Sequence, residues 1–256
     1  MNRLLSDMRE GPFAVAGHLG ELYTLVTRTL KSPFKKMPRG KYIVQQMYNI
    51  GNCSLPVVLL TGLFTGLVLA AQSFSQFKQL NIENLVGAIV CPSMAKELGP
   101  VLTGLMLAGR VGAAMAAELG TMRVTEQIDA LESLATDPYG FLVFPRLLAC
   151  VALTPLLVIV SDFVGIIGAY LLSVHVFFID HHYYMQHSIE YLDAWGIISG
   201  ALKGGVFGAI ICVLSCHKGF TAGRGAEGVG AATTEAVVIS SIMILVANFF
   251  LTLLMY

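Results

Sequence analysis

The chain has 256 residues, of which 55% are hydrophobic and 12% charged, with 16 Lys and Arg against 16 Asp and Glu. Soluble domains carry about 25% charged residues; half that value, with a mean hydropathy of +0.72, excludes an ordinary soluble domain and indicates the membrane class. Zero net charge and a single Trp leave neither a basic field nor a stacking platform for nucleic acid.

From Met1 to about Pro38, apolar residues such as Leu4, Met8, Leu19, Leu22 and Leu25 alternate with charges. Arg3, Arg9, Arg28, Lys31, Lys35, Lys36, Arg39 and Lys41 make up half of the chain's 16 Lys and Arg. Residues 1–40 therefore read as an interfacial helix and basic linker on the cytoplasmic side, ahead of a single bundle domain over 41–256. No apolar core and cleavage site of a signal peptide is present.

A first span is predicted at about Leu55–Phe74, with Gly62 and Gly66 as a GxxxG pair and Gln72 near its outer end. The second, about Leu85–Leu119, exceeds the roughly 20 residues a bilayer needs; Pro92 and Pro100 predict a broken or bent outer part. Phe141–Ile179 reads as one long span kinked near Pro155, with Arg146 at its cytoplasmic end and Asp162 inside. Asp180–Asp193, rich in His and Tyr, reads as an outer interfacial belt. Trp195–Cys216 and about Val229–Met255 complete five spans. The fold class is thus an all-α integral membrane protein, N-terminus cytoplasmic and C-terminus outside. Gly223, Gly225 and Gly228 spell G-x-G-x-x-G, but they follow a membrane helix and not a strand, so no dinucleotide is implied.

The centre of the chain is Lys96–Pro138. Its apolar part carries Gly104, Ala108, Gly112, Ala116 and Gly120 at every fourth position, matched by Gly196, Gly200, Gly204 and Gly208 in the fourth span. Such stripes permit close helix contact, between these helices or across a symmetric dimer. Its polar part, near Thr125–Ala135, sets Ile128, Leu131 and Leu134 on one helical face and Glu126, Asp129 and Glu132 on another. Asp137-Pro138 supplies the stop. This is either a solvated helix on the membrane surface or a docking knob for a partner.

No GxSxG, HExxH or GxxxxGK[ST] motif occurs, so the chain has no catalytic set and no phosphate loop. Cys212, Cys216 and His217, and the histidines of Asp180–Asp193, lack a regular metal-ligand spacing, and no metal is expected. Charges inside the membrane are costly and are the functional candidates. Lys96 and Glu97 in the second span and Lys203 in the fourth share an outer depth. They form either a self-satisfied structural pair or a polar spot for a charged head group. Arg110, Glu118 and Arg123, toward the cytoplasmic end, read as structural charges.

The run ELGPVLTGLMLAGRVGAAMAAELGTMRVTEQIDALESLATDP closely resembles the permease subunit of MCE-type ABC transporters, the MlaE-like lipid permeases. With the N-terminal basic helix and the GVGAATTEAVV run, the resemblance covers essentially the whole chain. It implies a homodimer in the bacterial inner membrane with a partner ABC ATPase that binds the ATP and Mg, so this chain needs no cofactor and is not itself an enzyme. It also implies a phospholipid substrate and a periplasmic MCE-domain partner. Lys96, Glu97, Lys203, Leu69 and Gln72 would face the lipid; Glu126, Ile128, Asp129, Leu131 and Glu132 would meet the ATPase. A stand-alone carrier or channel using Lys96, Glu97, Asp162 and Lys203, or a non-transporting scaffold, are the alternatives.

Overall fold

The computed structural model describes residues 12–31 and 40–256, all of it helix and connecting turns. The basic residues Arg3, Arg9, Lys35, Lys36 and Arg39 lie outside the described residues. Helix α1 is Pro12–Lys31, α2 is Gly40–Gly51 and α3 is Leu55–Leu80. Helix α4 runs over Glu83–Val124 and is interrupted by wide π turns at Met94–Leu98 and Ala108–Gly112. The short α5 is Gln127–Ser133. Helix α6 runs over Tyr139–Val176, with π turns at Tyr139–Val143 and Leu172–Val176. Helix α7 is His181–Tyr191, α8 is Ala194–Phe220 and α9 is Gly225–Met255. Five segments are long and apolar enough to cross a bilayer, so the chain is an all-α integral membrane protein.

The spans alternate in direction. One end of the bundle carries α1 and α5; the other carries α7 and the C-terminus. Helix α6 is the hub and touches α2, α3, α4 and α8. Glycines set the spacing. A Cβ on Gly62 would stand 2.5 Å from the Ser161 carbonyl oxygen, and one on Gly66 only 2.0 Å from that of Gly165. Backbone meets backbone here, as a GxxxG pair permits.

The two predicted stripes are both spent within the chain. Gly104 faces Phe207 and Ile244, Gly112 faces Ser215, and Gly120 faces Val229. Gly196 and Gly200 face Lys96 and Ala95 of α4, whereas Gly204 and Gly208 turn to Pro155 and Cys150 of α6. A dimer contact is therefore not built from these stripes. Apolar sides are left open on α3, at Leu60, Phe64 and Val68, on α9, at Ile242, Leu245, Phe249 and Leu253, and also on α6, at Leu156 and Phe163, and α8, at Ile198 and Leu202.

Several boundaries differ from expectation. Helix α2 is a separate helix packed on α6; its polar residues hid it in the run before the first span. The third span is one helix over Phe144–Leu171 with Pro155 inside it and π turns at either end. The expected break in the outer part of the second span takes the form of the Met94–Leu98 π turn between Pro92 and Pro100. The His- and Tyr-rich segment folds as α7, because the Asp180 carboxylate accepts the His182 and Tyr183 N–H groups as an N-cap. It buries Tyr184 and Ser188. In the glycine-rich loop, Gly225 has φ +75 and a Cβ on Gly228 would meet the Gly223 carbonyl oxygen at 2.2 Å. The glycines there permit a tight turn.

Candidate functional site

Lys203, Glu97 and Lys96 come together as the sequence suggested, at the half of the bundle nearer α7. The Lys203 side chain is completely buried. Its ammonium donates to Glu97 Oε1 at 2.7 Å, to the Lys96 carbonyl oxygen at 2.9 Å and to Thr252 Oγ1 at 2.9 Å. An ammonium has three protons, and all three are used. Glu97 is fixed in turn: Asn248 Nδ2 donates to its Oε2 and Thr252 Oγ1 to its Oε1, both at 2.9 Å. The Met94–Leu98 π turn is what puts both the Lys96 carbonyl and the Glu97 carboxylate in reach of α8, since a wide turn displaces its residues from the regular helical register.

The cluster thus ties α4, α8 and α9 together. Lys203 has no proton left for a ligand. Glu97 is about one-third exposed, and Lys96 is half-buried with its ammonium 4.9 Å from the centre of the Tyr256 ring, a cation–π contact. Tyr256 is held by Ser199, hydroxyl to hydroxyl at 2.6 Å. Asn248, Thr252 and Tyr256 were missed by sequence reasoning, which placed a span at about Val229–Met255 without singling out its polar residues. The signal was there: Asn248 and Thr252 are four apart, on one face of the run Ile242–Met255, which is otherwise entirely apolar.

Among the described residues no hydrogen bond joins Leu69 or Gln72 to this cluster. They line a hollow of about 360 Å³ on the seam of α3 and α4, with Phe64, Thr65, Val68 and Leu98. Leu98 follows Glu97 directly, so the hollow adjoins the polar cluster through the π turn. A second hollow of about 310 Å³, lined by Leu60, Thr61, Leu102 and Met106, shares Phe64 and Thr65 with the first. Together they make an apolar trough along the seam.

At the other end, α5 does not offer its whole apolar face outward. Ile128 is 4% exposed and Leu131 packs beside it on the chain's own core. Leu134 is 75% exposed, and Glu126 and Glu132 are exposed with it. Asp129 pairs with Arg123, the last basic residue of α4. Glu126, with φ 57, and Ala135, with φ 52, are in left-handed conformation at the two ends of α5, so the helix stops ahead of Asp137-Pro138.

Arg110 and Glu118, read as structural charges, each tie α4 to a different neighbour. Arg110 donates to Ser54 Oγ at 2.7 Å and to the Asn49 carbonyl oxygen at 3.3 Å, bracing the junction of α2 and α3. Glu118 instead pairs at 2.8 Å with Arg146 of α6, whose side chain is only 3% exposed. Helix α1 packs beneath, with Arg28 over the Tyr139 ring and Glu21 3.8 Å from His217. Cys212 and Cys216 pack in the core, their sulfurs 3.9 Å apart.

Comparison with known proteins agrees with this architecture. The family described as "Permease MlaE" matches residues 43–254. A "Probable ABC transporter permease protein" of Rickettsia felis is 49% identical over 84% of this chain and 83% of its own length. The chloroplastic protein TRIGALACTOSYLDIACYLGLYCEROL 1 of Arabidopsis thaliana is 41% identical over 82% of this chain and 60% of its own. The "Intermembrane phospholipid transport system permease protein MlaE" of Haemophilus influenzae is 36% identical over 84% and 82%. With its five apolar helices and no catalytic motif of its own, the chain belongs to the MlaE permease family: it is a multi-pass inner-membrane subunit of an ABC transporter that relies on a separate ATPase.

Proposed function

We propose that this permease moves phospholipid between the inner membrane and a periplasmic MCE-domain protein, as one half of a homodimer. The observation that carries the reading is the junction of a polar mouth and an apolar trough. Lys96 and Glu97 stand half-exposed at the π turn, and Leu98, Leu69 and Gln72 open the hollow that follows. A phosphate head group fits beside the Lys96 ammonium, a point charge rather than a bidentate clamp, and acyl chains fit the trough. Lys203 serves this site indirectly, by holding Glu97.

The ATPase, with its ATP and Mg, docks at the α5 end, which is cytoplasmic in this reading; the C-terminus is then periplasmic. Leu134, Glu126 and Glu132 form the exposed grip. Ile128, Leu131 and the Arg123–Asp129 pair fasten α5 to α4 and the core, so that ATP-driven closure is passed up α4 to the π turn. The open apolar sides of α3 and α9 supply the dimer contact and the lipid-facing surface.

The test is co-purification under mild extraction, followed by lipid transfer in liposomes. Glu126, Glu132 and Leu134 changed to Lys should lose the ATPase. Lys96→Ala should keep the ATPase and lose lipid. An assembled, hydrolysing complex that moves no phospholipid would sink the proposal.

A further inference from the structure

The Met94–Leu98 turn is gripped from α6 at both of its ends. At its start, the Met94 side chain lies against Gly165, where a Cβ would meet Met94 Cε at 2.5 Å. At its finish, Asp162 Oδ1 occupies the space beside Gly99, 1.5 Å from where a Cβ would stand. That same point is 3.0 Å from the Met94 carbonyl oxygen, the acceptor of the Gly99 N–H that closes the turn. Asp162 is 7% exposed. Its Oδ1 is buried without a hydrogen-bond partner, and no ion pair among the described residues includes it.

An ionised carboxylate sealed in an apolar span without a counter-ion is costly, whereas the neutral acid keeps one O–H to donate. The Met94 carbonyl already accepts the Gly99 N–H, but a carbonyl oxygen has two lone pairs and can accept a second hydrogen from a nearby polar group. Among the groups that α6 brings to this turn, the carboxyl of Asp162 is the polar one that reaches Gly99, and Gly165 offers bare backbone. A hydrocarbon side chain would fill the same space; what the carboxyl adds is a hydrogen to donate.

We infer that Asp162 is a positioning residue for transport: its neutral carboxyl donates to the Met94 carbonyl, holds the wide turn in register, and so fixes Lys96 and Glu97 at the mouth of the trough. The inference rests on the lipid-permease reading for its consequence, and on geometry for the contact.

The experiment uses the full permease–ATPase complex in proteoliposomes, with D162N and D162A. Phospholipid transferred per ATP hydrolysed is measured first. Labelling of K96C by a water-soluble maleimide, in a C53S background, is measured second. An asparagine amide can donate to a carbonyl as the neutral acid does; alanine cannot. D162A should assemble and hydrolyse ATP normally, but lose about tenfold in transfer per ATP, the size of an ordinary site-to-site coupling, with an altered K96C labelling rate. D162N should resemble the native complex in every respect. The inference is overturned if D162N fails as D162A does, if D162A leaves both readouts unchanged, or if assembly and hydrolysis fall together with transfer. If the native complex moves no phospholipid while labelling still separates D162A from D162N, the substrate reading fails and the positioning role stands.

Discussion

Lys203 Nζ lies 2.7 Å from Glu97 Oε1, and the lysine side chain is wholly buried while the glutamate is about one-third exposed. The pair is therefore unequal. Removing the glutamate strands a buried cation; removing the lysine leaves a partly exposed carboxylate that keeps Asn248 and Thr252 as donors. Breaking a buried pair from one side costs about 3–5 kcal/mol, and E97L should approach that figure. K203M should cost clearly less. Thermal unfolding of the extracted protein checks the order, and equal losses would show that Asn248 and Thr252 do not sustain the Glu97 carboxylate by themselves.

Gly66 and Gly109 should respond oppositely to alanine. A Cβ on Gly66 meets the Gly165 carbonyl oxygen at 2.0 Å, while one on Gly109 meets nothing within 4 Å. G66A forces α3 from α6 and should destabilise by about 1–3 kcal/mol, the usual cost of overpacking. G109A should be neutral or stabilising by about 0.5–1 kcal/mol, since glycine is the poorer helix former. Denaturant or thermal midpoints distinguish the two.

Within α5, stability and coupling should separate between neighbours on the same predicted face. Ile128 is buried and Leu134 exposed. I128A should destabilise the permease by about 2–5 kcal/mol through its cavity. L134K should leave unfolding unchanged within about 0.5 kcal/mol, as exposed substitutions usually do, yet reduce ATPase co-purification. Retained ATPase with L134K would move the docking surface elsewhere.

Tyr184 of α7 carries a pH prediction. Burial pushes its phenol well above the ordinary tyrosine range. The neutral form is the one the fold favours, so the stabilisation is whole below the unfolded value of about 10 and is lost as pH rises beyond it. Stability should fall on raising the pH above about 10, and Y184F should flatten that fall. Its hydroxyl sits near Ser173, Ser188 and Cys91 but makes no well-aligned hydrogen bond among the described residues, so Y184F should cost little at neutral pH. An unchanged alkaline slope in Y184F would assign the loss to another group.

Much of this was legible in the sequence because hydropathy and small-residue spacing are local properties. Five long apolar runs must be helices in a bilayer, where every backbone group needs an internal partner. Gly62, Gly66 and the two stripes announced close helix contacts, and the intramembrane rarity of Lys96, Glu97 and Lys203 marked them out. What the stripes contact was not a local matter: Gly196 to Gly208 serve two different helices because α8 crosses from α4 to α6. Partner choice among charges was likewise settled by packing. Arg110 reaches the α2–α3 junction rather than Glu118, and Glu118 finds the buried Arg146, since charge attraction at these distances acts between whichever groups the bundle brings within about 4 Å. Ile128 turned inward because a short helix beside a large core loses more water by docking on its own chain than by waiting for a partner. The π turn is the furthest from sequence. It is a register choice of one extra residue, and only the neighbours Lys203, Gly200, Gly165 and Asp162, all distant in the chain, make that register the one in which Lys96 and Glu97 meet their site.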